Sequence, residues 1–402
     1  MMKVLFVHQN FPGQFRHVFS ALVKDPAYDV RAFCMREPQG HKDIVIDCRS
    51  YLQAPKSSSP IIDDFAAKIA RGMATSRAAE ALKFSGFIPD VIVGHPGWGE
   101  MLFLRDSFPN ARIICLFELF YRAQGQDVGF DPEFPVSQEE IWGLQIKNAV
   151  NHFALEACDI GVSPTQWQRK SYPKKWHDKI RVIHEGIDTD YFCPDPKAQI
   201  KLPGGTLKRG DGLITFVARN LEPYRGFHTV MRALPQILRD NPQAIVAFVG
   251  AEGVSYGAAA PGGQSWREAL KAELGFSVDW SRVMFMGHVP QEVYRRILQI
   301  STVHIYLTYP FILSWSLLEA MSCECAVVAS DTAPVAELIE DGRHGMIVDF
   351  FDPLALAEQV TRLANDGKHR DRIGKEARMH IREKHDLQRV CLPTLCSVIA
   401  GL

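Results

Sequence analysis

The chain has 402 residues, of which 47% are hydrophobic and 23% are charged. These proportions are ordinary for folded globular domains and exclude a disordered chain, a collagen and a coiled coil. The 45 Lys and Arg residues nearly balance the 46 Asp and Glu residues, so the formal net charge is -1. Proteins that bind nucleic acids usually carry a basic excess, and we therefore expect no nucleic-acid partner.

The nine cysteines are scattered and include no Cys-x-x-Cys pair, which indicates neither a disulfide framework nor a zinc site. The apolar run near the N-terminus covers only residues 4–7, too short for the apolar segment of a signal peptide. No window approaches the roughly 18 apolar residues that a membrane-spanning helix needs. We expect a cytoplasmic protein. Peripheral contact with the inner face of a membrane stays open, although no basic amphipathic helix is evident.

Short apolar runs alternate with amphipathic stretches along the first half of the chain. The predicted strands cover residues 4–7, 29–33, 44–46, 90–94, 113–117 and 159–163. The predicted helices cover residues 15–23, 61–84 and 141–157. Strands without polar alternation, separated by helices, are typical of a parallel sheet that is covered by helices on both faces.

The same pattern restarts in the second half, after a stretch at residues 198–212 that is rich in Lys, Gly and Pro and is predicted to be a surface loop. The predicted strands cover residues 213–218, 244–250, 283–286, 304–307, 326–330 and 346–349. The pattern predicts two doubly wound, Rossmann-like α/β domains, at residues 1–185 and 186–386, facing a central cleft. Ligands bind such sheets at the carboxyl ends of the strands.

The first candidate site follows the predicted strand 213–218, where the chain reads RNLEPYRG. Arg219 and Arg225 each carry a planar guanidinium group that suits phosphate oxygens. The helix that starts near Gly226 adds the positive end of its dipole. These features predict a diphosphate site. The alternative, two surface arginines engaged in salt bridges, stays open on this motif alone.

The second candidate site lies in the run YPFILSWSLLEAMS. Ser314 and Ser316 stand at the entry of a predicted helix, where hydroxyls and backbone N–H groups can hold phosphate oxygens. Trp315 could stack on a sugar or a base, or could simply pack. Glu319 has apolar neighbours and would need partners if buried, such as ribose hydroxyls. A surface or salt-bridged glutamate is the alternative.

In the first half, His95 follows strand 90–94 and Glu118 follows strand 113–117. At the carboxyl ends of strands, these groups could orient an acceptor hydroxyl or accept its proton. The alternatives are a histidine that caps a turn and a carboxylate that caps a helix. Gly13, in the first loop, permits close approach of a ligand, or is a plain turn glycine. His8 shows no metal-ligand spacing and receives no role.

The order of these motifs resembles the family-four glycosyltransferases (glycosyl transferases group one), a retaining group with the GT-B fold. The segments that carry the resemblance are FPGQF, IRVIHEGIDTDYFCP, RNLEPYRG, MGHVP, FILSWSLLEAMS and CECAVVASDTAPVAELIEDGRHG, from residue 3 to roughly residue 350. Several positions depart from the family, among them Glu185, Glu324 and Ala326, and three further departures concern the candidate sites. Arg225 replaces its phosphate-binding lysine, Phe311 replaces the first Glu of its E-x7-E motif, and Glu118 stands where a histidine is common.

The resemblance implies that a sugar moves, with retention, from a UDP- or GDP-linked donor to a hydroxyl acceptor, in glycan, glycolipid or glycoconjugate synthesis. No metal or other cofactor is implied. Acceptors of glycan, lipid, protein and small-molecule type all stay open. The first domain would bind the acceptor, and residues 387–402 would form a helix that crosses back onto it.

The resemblance also implies roles for single residues. Catalysis would involve His95, Glu118, Arg219 and Arg225. Glu319 would bind the ribose, and backbone near Gly287 and Val289 would read the base. The full set of donor-binding candidates is Gly13, Arg219, Arg225, Gly287, Val289, Ser314, Trp315, Ser316 and Glu319.

Two other functions remain as alternatives. A nucleotide-sugar epimerase would use the same fold but would need further acid–base carboxylates. A non-catalytic nucleotide-sugar-binding protein is suggested by Phe311, because the family's sugar-contacting carboxylate is replaced there.

Overall fold

The structure is a computed structural model that describes residues 1–38, 40–53, 59–202 and 205–402. Its contacts divide the chain into two units. Unit 1 comprises Met1–Gly186 and Gln388–Leu402, and unit 2 comprises Ile187–Leu387. Among the described residues, no helix combines the length and the apolar character that crossing a membrane requires.

Unit 1 contains a parallel sheet of seven strands in the order β3-β2-β1-β4-β5-β6-β7. The strands are β1 (Met2–Val7), β2 (Tyr28–Cys34), β3 (Val45–Asp47), β4 (Val91–Gly94), β5 (Arg112–Leu116), β6 (Ile160–Ser163) and β7 (Ile180–Val182). The α-helices are α1 (Arg16–Lys24), α2 (Pro60–Phe84), α3 (Leu104–Ser107), α4 (Gln138–Ala157) and α5 (Gln166–Ser171). Short 3-10 helices cover Gly13–Phe15, Cys48–Tyr51 and Lys174–Lys179.

The central strands of this sheet are buried on both faces. In β1, Leu5 and Val7 pack into one apolar cluster, while Val4 and Phe6 pack into another. Successive side chains of a strand point to opposite faces, so this alternation places one cluster on each side of the sheet. The absence of polar alternation in β1 is the sequence signature of this burial.

Unit 2 contains a second parallel sheet, of six strands, in the order β12-β11-β10-β13-β14-β15. Its strands are β10 (Leu213–Asn220), β11 (Ile245–Ala251), β12 (Val283–Phe285), β13 (Val303–Tyr306), β14 (Val327–Ser330) and β15 (Met346–Val348). Its α-helices are α6 (Phe227–Asp240), α7 (Trp266–Leu274), α8 (Gln291–Ile300), α9 (Trp315–Ser322), α10 (Ala333–Leu338), α11 (Pro353–Asn365) and α12 (Gly367–Lys384). The predicted fold class, two Rossmann-like α/β domains, is confirmed.

One predicted loop is wrong. Within residues 198–212 the chain forms an antiparallel pair of strands, β8 (Gln199–Leu202) and β9 (Gly205–Lys208), and residues 203–204 lie outside the described residues. Ile200 is buried in an apolar cluster with Leu213 and Ile297. Ala198 belongs to the same cluster and Leu207 of β9 packs against it. The lysines and glycines of the segment dominate its composition, so the composition alone did not indicate these apolar contacts.

The chain ends within unit 1. A π-helical turn (Leu387–Cys391) leads into helix α13 (Leu392–Ala400), and Val398 and Ile399 of this helix join the cluster that contains Val4. The Arg112 guanidinium donates hydrogen bonds to the carbonyl oxygens of Val398, at 2.9 Å, and Ile399. These carbonyls belong to the last turn of α13, where the Gly401 N–H also reaches the Val398 carbonyl, at 3.3 Å.

We predict that Arg112→Met loosens α13 from unit 1. The loss of hydrogen bonds from a charged donor should lower the free energy of unfolding by about 1.5–3 kcal/mol. Hydrogen exchange followed by mass spectrometry should show faster exchange in α13. The matched control is Arg105→Met, since Arg105 donates to the carbonyl of Ala157 at the end of α4. It should speed exchange in α4 instead, and equal exchange of α13 in wild type and Arg112→Met would contradict the prediction.

Candidate active site

Two arginines lie where strand β10 of unit 2 ends and helix α6 begins. Arg219 is the penultimate residue of β10, and Arg225 ends the 3-10 turn Pro223–Arg225. Gly226 then starts α6 with a φ of 71°, in the left-handed region. A Cβ at Gly226 would lie 2.3 Å from the Cβ of Leu307, just beyond β13. Glycine is therefore needed to bring the arginine turn against the end of the neighbouring strand.

Arg225 is a buried cation held by neutral groups. Its Nη1 donates to Thr308 Oγ1 at 2.7 Å and to the carbonyl oxygen of Ile312 at 3.1 Å. Its Cζ lies 5.3 Å from the ring centroid of Tyr256, and that of the exposed Arg219 lies 6.0 Å from the same ring. In the described part of the chain, neither arginine forms an ion pair. A buried charge without a counter-ion favours an anionic ligand.

Phe311 lies beside this cation, at the position where the family carries a carboxylate. Its ring centroid is 5.8 Å from the Arg225 Cζ and 5.1 Å from the rings of both Tyr224 and Tyr256. Aromatic faces attract a cation weakly and do not neutralise it. Phe311 thus leaves the charge of Arg225 uncompensated.

The loop that carries Tyr256 is fastened by Glu222, another residue of the RNLEPYRG motif. Glu222 is fully buried, and its carboxylate accepts backbone N–H bonds of 3.0–3.2 Å from Ser255, Tyr256 and Gly257. These backbone hydrogen bonds offset the cost of burying the Glu222 carboxylate. Glu222 therefore positions Tyr256 against the two arginines.

Ser314 and Ser316 lie at the start of α9, as predicted, but their amides already have partners. The Ser314 N–H donates to the Tyr306 hydroxyl at 2.8 Å, and the Ser316 N–H donates to Ser314 Oγ at 3.3 Å. The Ser316 hydroxyl also donates to Ser314 Oγ, at 2.9 Å. Trp315 is half-buried against the apolar cluster under α9. A ligand at this helix start would therefore rely on the hydroxyl groups and the helix dipole rather than on these two amides.

Glu319 is buried, so the alternative of an exposed surface glutamate is wrong. Its Oε2 accepts a hydrogen bond of 2.6 Å from the hydroxyl of Tyr294 on α8. Burial, together with the Glu319 charge, raises the pKa of Tyr294, which therefore stays a donor. Tyr294 orients the carboxylate that the sequence assigns to a ribose.

Gly287 and Val289 follow strand β12. Gly287 has a φ of 62°, and its carbonyl oxygen accepts a 3.0 Å bond from the Gly250 N–H, which ties together the ends of β11 and β12. The Val289 side chain packs against the apolar cluster of the strand pair β8–β9. His288 between them is exposed. Recognition of a base by the backbone of this segment stays a prediction.

In unit 1, polar side chains converge at the ends of three adjacent strands. His8 follows β1, His95 follows β4, and Glu118 lies just after β5. His95 Nε2 lies 3.0 Å from Glu118 Oε2, and His8 Nε2 lies 2.7 Å from Gln14 Oε1. The Gln14 amide donates in turn to Glu118 Oε1, at 2.5 Å. The structure thus brings His95 and Glu118 together and adds His8 and Gln14 to them.

The backbone fixes the direction of these hydrogen bonds. A backbone N–H can only donate, and Nδ1 of His8 receives one from Asn10 at 3.0 Å, while Nδ1 of His95 receives one from Gly97 at 3.1 Å. Each Nε2 must then carry the ring hydrogen. Both imidazoles therefore donate toward Glu118, one of them directly and the other through an amide.

The charges follow from this arrangement. Burial, reinforced by the nearby His95, lowers the pKa of His8 to about 4, so His8 is neutral at pH 7. Burial alone would raise the pKa of Glu118, but the adjacent His95 and the hydrogen bonds from His95 and Gln14 lower it overall. Glu118 is therefore ionised and can accept a proton donor. Gly13 lies against this group, since a Cβ there would come within 2.3–2.8 Å of the His8 ring.

A second carboxyl group lies behind His95. Glu100 is 1% exposed, and neither of its carboxyl oxygens has a hydrogen-bond partner among the described residues. Burial raises its pKa to about 7, although Arg71 and His95 act in the opposite direction. The hydroxyl of Thr75 holds the backbone carbonyl of Glu100 against α2, at 2.7 Å.

Sequence reasoning missed several residues that complete these groups. His8 directly follows a strand. Ligands bind at the carboxyl ends of parallel strands, and this rule, which selects His95, would have selected His8 too. Thr308 likewise follows β13 closely. Tyr256, Gln14 and Tyr294 show no such signal, because their place depends on loops and helices that fold back from elsewhere in the chain.

Comparison with known proteins places this architecture in a family of enzymes. The model of the Glycosyl transferase family 4 group matches residues 27–192, and that of Glycosyl transferases group 1 matches residues 199–380. The chain therefore belongs to the group 1, family 4 glycosyltransferases, which confirms the resemblance seen in its motifs.

Curated relatives are distant. Spore coat protein SA of Bacillus subtilis (strain 168) is 24% identical over 53% of this chain and 56% of its own length. A D-inositol 3-phosphate glycosyltransferase of Nocardioides sp. is 24% identical over 56% of this chain and 50% of its own. The alpha-maltose-1-phosphate synthase of Mycolicibacterium smegmatis is 28% identical over 66% and 69%. The chain spans about half the length of the first two relatives.

Solved structures share the fold at low sequence identity. Anabaena Alr3699/HepE in complex with UDP and glucose superposes with a TM-score of 0.71 at 15% identity, covering all of both chains. Sucrose-phosphate synthase from Thermosynechococcus elongatus superposes with a TM-score of 0.72 at 19% identity, again over both whole chains. These similarities support the GT-B fold for this chain.

We predict that Glu100→Gln stabilises the protein above neutral pH. The folded carboxyl titrates at about 7 rather than at 4.5, so stability is lost as the pH rises from about 4.5, and it stays lost above 7. The difference between these two pKa values corresponds to a loss of about 3 kcal/mol at most in the free energy of unfolding. Gln keeps the neutral form. Urea unfolding should therefore show a larger gain for the variant at pH 8 than at pH 5.

The control for this prediction is Glu139→Gln, at an exposed position on α4. Its effect on the free energy of unfolding should be small and equal at the two pH values. A Glu100→Gln effect that did not change between pH 5 and pH 8 would show that Glu100 is not held neutral by burial.

Proposed function

We propose that this protein is a retaining glycosyltransferase that moves a sugar from a nucleoside-diphosphate donor to a hydroxyl acceptor without a metal ion. The observation that carries the proposal is the buried Arg225, held by neutral groups beside the exposed Arg219. Two neighbouring cations next to a helix start, one of them buried and held by hydrogen bonds, fit a diphosphate.

The proposed role of these arginines is to stabilise the leaving group. When the bond between the sugar's anomeric carbon and the diphosphate breaks, negative charge grows on the diphosphate oxygens. Preorganised cations lower the energy of that state, since they need no rearrangement as the charge develops. The new bond forms between the anomeric carbon and the acceptor oxygen, whose proton passes to the departing phosphate. Retention follows if attack and departure occur on the same face of the sugar.

Unit 2 would also hold the nucleoside. Glu319, oriented by Tyr294, offers carboxylate oxygens to the ribose hydroxyls. The backbone around Gly287 and Val289 would recognise the base. A structural neighbour of this chain is known in complex with UDP and with UDP-glucose, which supports a uridine nucleotide as the first donor to test. GDP-linked donors are the alternative.

Unit 1 would bind the acceptor. Glu118 is ionised and receives hydrogen bonds from His95 and Gln14, which leave further carboxylate lone pairs for an acceptor hydroxyl. In this role Glu118 orients the hydroxyl and strengthens the nucleophile. His8 and Gln14 would hold the carboxylate in place.

A non-catalytic nucleotide-sugar-binding protein is the second candidate, and Phe311 is the observation that favours it. The family's carboxylate at this position contacts the donor sugar, so its replacement would weaken turnover more than binding. The two functions differ in one measurement. A transferase releases free UDP or GDP from its donor, slowly even without acceptor, whereas a binding protein releases none.

We predict that Arg225→Ala weakens UDP binding by about 10- to 100-fold, as expected for the loss of hydrogen bonds between a charged donor and an anion. Isothermal titration calorimetry would measure the dissociation constant. The control is Arg239→Ala, at an exposed arginine in the last turn of α6. It should bind UDP like wild type, and an unchanged affinity of Arg225→Ala would refute the diphosphate site.

We also predict that release of nucleotide from the cognate donor continues in excess EDTA. Arg219 and Arg225 supply the positive charge that a divalent ion supplies in metal-dependent transferases. A coupled assay for free UDP or GDP would give rates with EDTA and with added Mg²⁺. Strict dependence on the ion would contradict the proposed mechanism.

A further inference from the structure

Unit 1 contains a cavity that adjoins the Glu118 carboxylate. Its volume is about 190 Å³, and its wall includes His95, Trp98, Glu118 and Tyr172 together with the Asp64–Lys68 pair of α2. Pockets for drug-sized ligands are usually about 300–1,000 Å³. The cavity is thus suited to one small ring rather than to a long chain or a whole nucleotide.

Tyr172 provides a polar group that lacks a partner in this wall. Its ring is buried against Phe117 and Phe120, with centroid distances of 5.1 and 5.6 Å. The Tyr172 hydroxyl is buried as well, and it forms no hydrogen bond within the described ranges of the chain. A buried hydroxyl without a partner costs free energy. A ligand that forms a hydrogen bond with the Tyr172 hydroxyl would remove this cost.

Glu118 determines the charge that a ligand can bring. Its carboxylate accepts from His95 and Gln14 and keeps lone pairs on the cavity side. A phosphate or a carboxylate in direct contact with the Glu118 carboxylate would be repelled by it. An alcohol fits, because its O–H can donate to Glu118 while its oxygen accepts from Tyr172.

The rest of the wall resembles a surface for a sugar ring. The Trp98 indole stacks on the His95 imidazole, at a centroid distance of 4.1 Å and an interplanar angle of 22°, which holds it rigidly beside the cavity. Rigid aromatic faces bind the apolar C–H face of a ring.

The wall also includes the lysines Lys68 and Lys147. Lys68 is paired with Asp64 at 2.5 Å, so its charge is already compensated. Lys147 lies over an aromatic ring, with its Nζ 5.4 Å from the ring centroid of Tyr121.

We propose that this cavity is the acceptor site and that the acceptor presents a single neutral polyol ring, a pyranose or a cyclitol, whose reacting hydroxyl lies between Glu118 and Tyr172. The inference rests on the proposed transferase function and gives its acceptor a chemical class. The ring can stand alone or end a longer glycan or glycolipid.

The test uses the full-length protein, its cognate nucleotide sugar and a panel of acceptors. Neutral monosaccharides and myo-inositol should accelerate nucleotide release and yield a glycoside detected by mass spectrometry. The corresponding sugar phosphates and simple long-chain alcohols should do neither. A preference for the phosphorylated ring, or for an alcohol without a ring, would overturn the proposal.

The cavity itself is tested with Tyr172→Phe, which removes one neutral hydrogen bond. The KM for the neutral acceptor should rise by about 3- to 10-fold, while the dissociation constant of UDP stays at the wild-type value. The control is Tyr28→Phe, in strand β2 and outside the cavity wall. A Tyr172→Phe effect on the KM for the donor, rather than on that for the acceptor, would show that the cavity holds the donor.

The two levels of inference fail in different ways. If UDP and GDP do not bind and no donor releases nucleotide, the transferase function itself is wrong. If nucleotide binds and is released without acceptor, but no neutral ring accelerates the reaction or binds in calorimetry, only the acceptor assignment is wrong.

Discussion

The buried guanidinium of Arg225 determines which groups can surround it in unit 2. Its hydrogen bonds go to the Thr308 hydroxyl and the Ile312 carbonyl, and its flat faces meet aromatic rings. All of these partners are neutral, so they orient the cation without cancelling its charge. Gly226 permits this arrangement, because only a residue without a side chain can pass Leu307 so closely.

The same constraint gives a physical reading of Phe311. The ring of Phe311 lies 5.8 Å from the Arg225 Cζ and brings no negative charge to it. An aromatic ring keeps water away from the cation and supplies a weak attraction in place of an ion pair. The departure from the family motif is therefore compatible with donor binding by unit 2.

In unit 1 the central charge has the opposite sign. There a carboxylate, Glu118, is the group that receives hydrogen bonds, from His95 and, through Gln14, from His8. Backbone amides at Asn10 and Gly97 fix both imidazoles as donors. In both units the polar groups follow adjacent parallel strands, where the topology of a doubly wound sheet leaves space for a ligand.

The sequence by itself determined the two parallel sheets, the family, and the candidate residues at the carboxyl ends of strands, such as His95 and Arg219. Unbroken apolar runs and the order of motifs are local signals, so they can be recognised without knowing which residues are in contact. Only the tertiary structure decided the partners of these residues. Thr308 lies 83 positions from Arg225, and Gln14 lies 104 positions from Glu118. The unpaired Tyr172 hydroxyl and the burial of Ile200 in its apolar cluster likewise became visible only through packing, because burial and hydrogen bonding depend on segments that are distant in the chain.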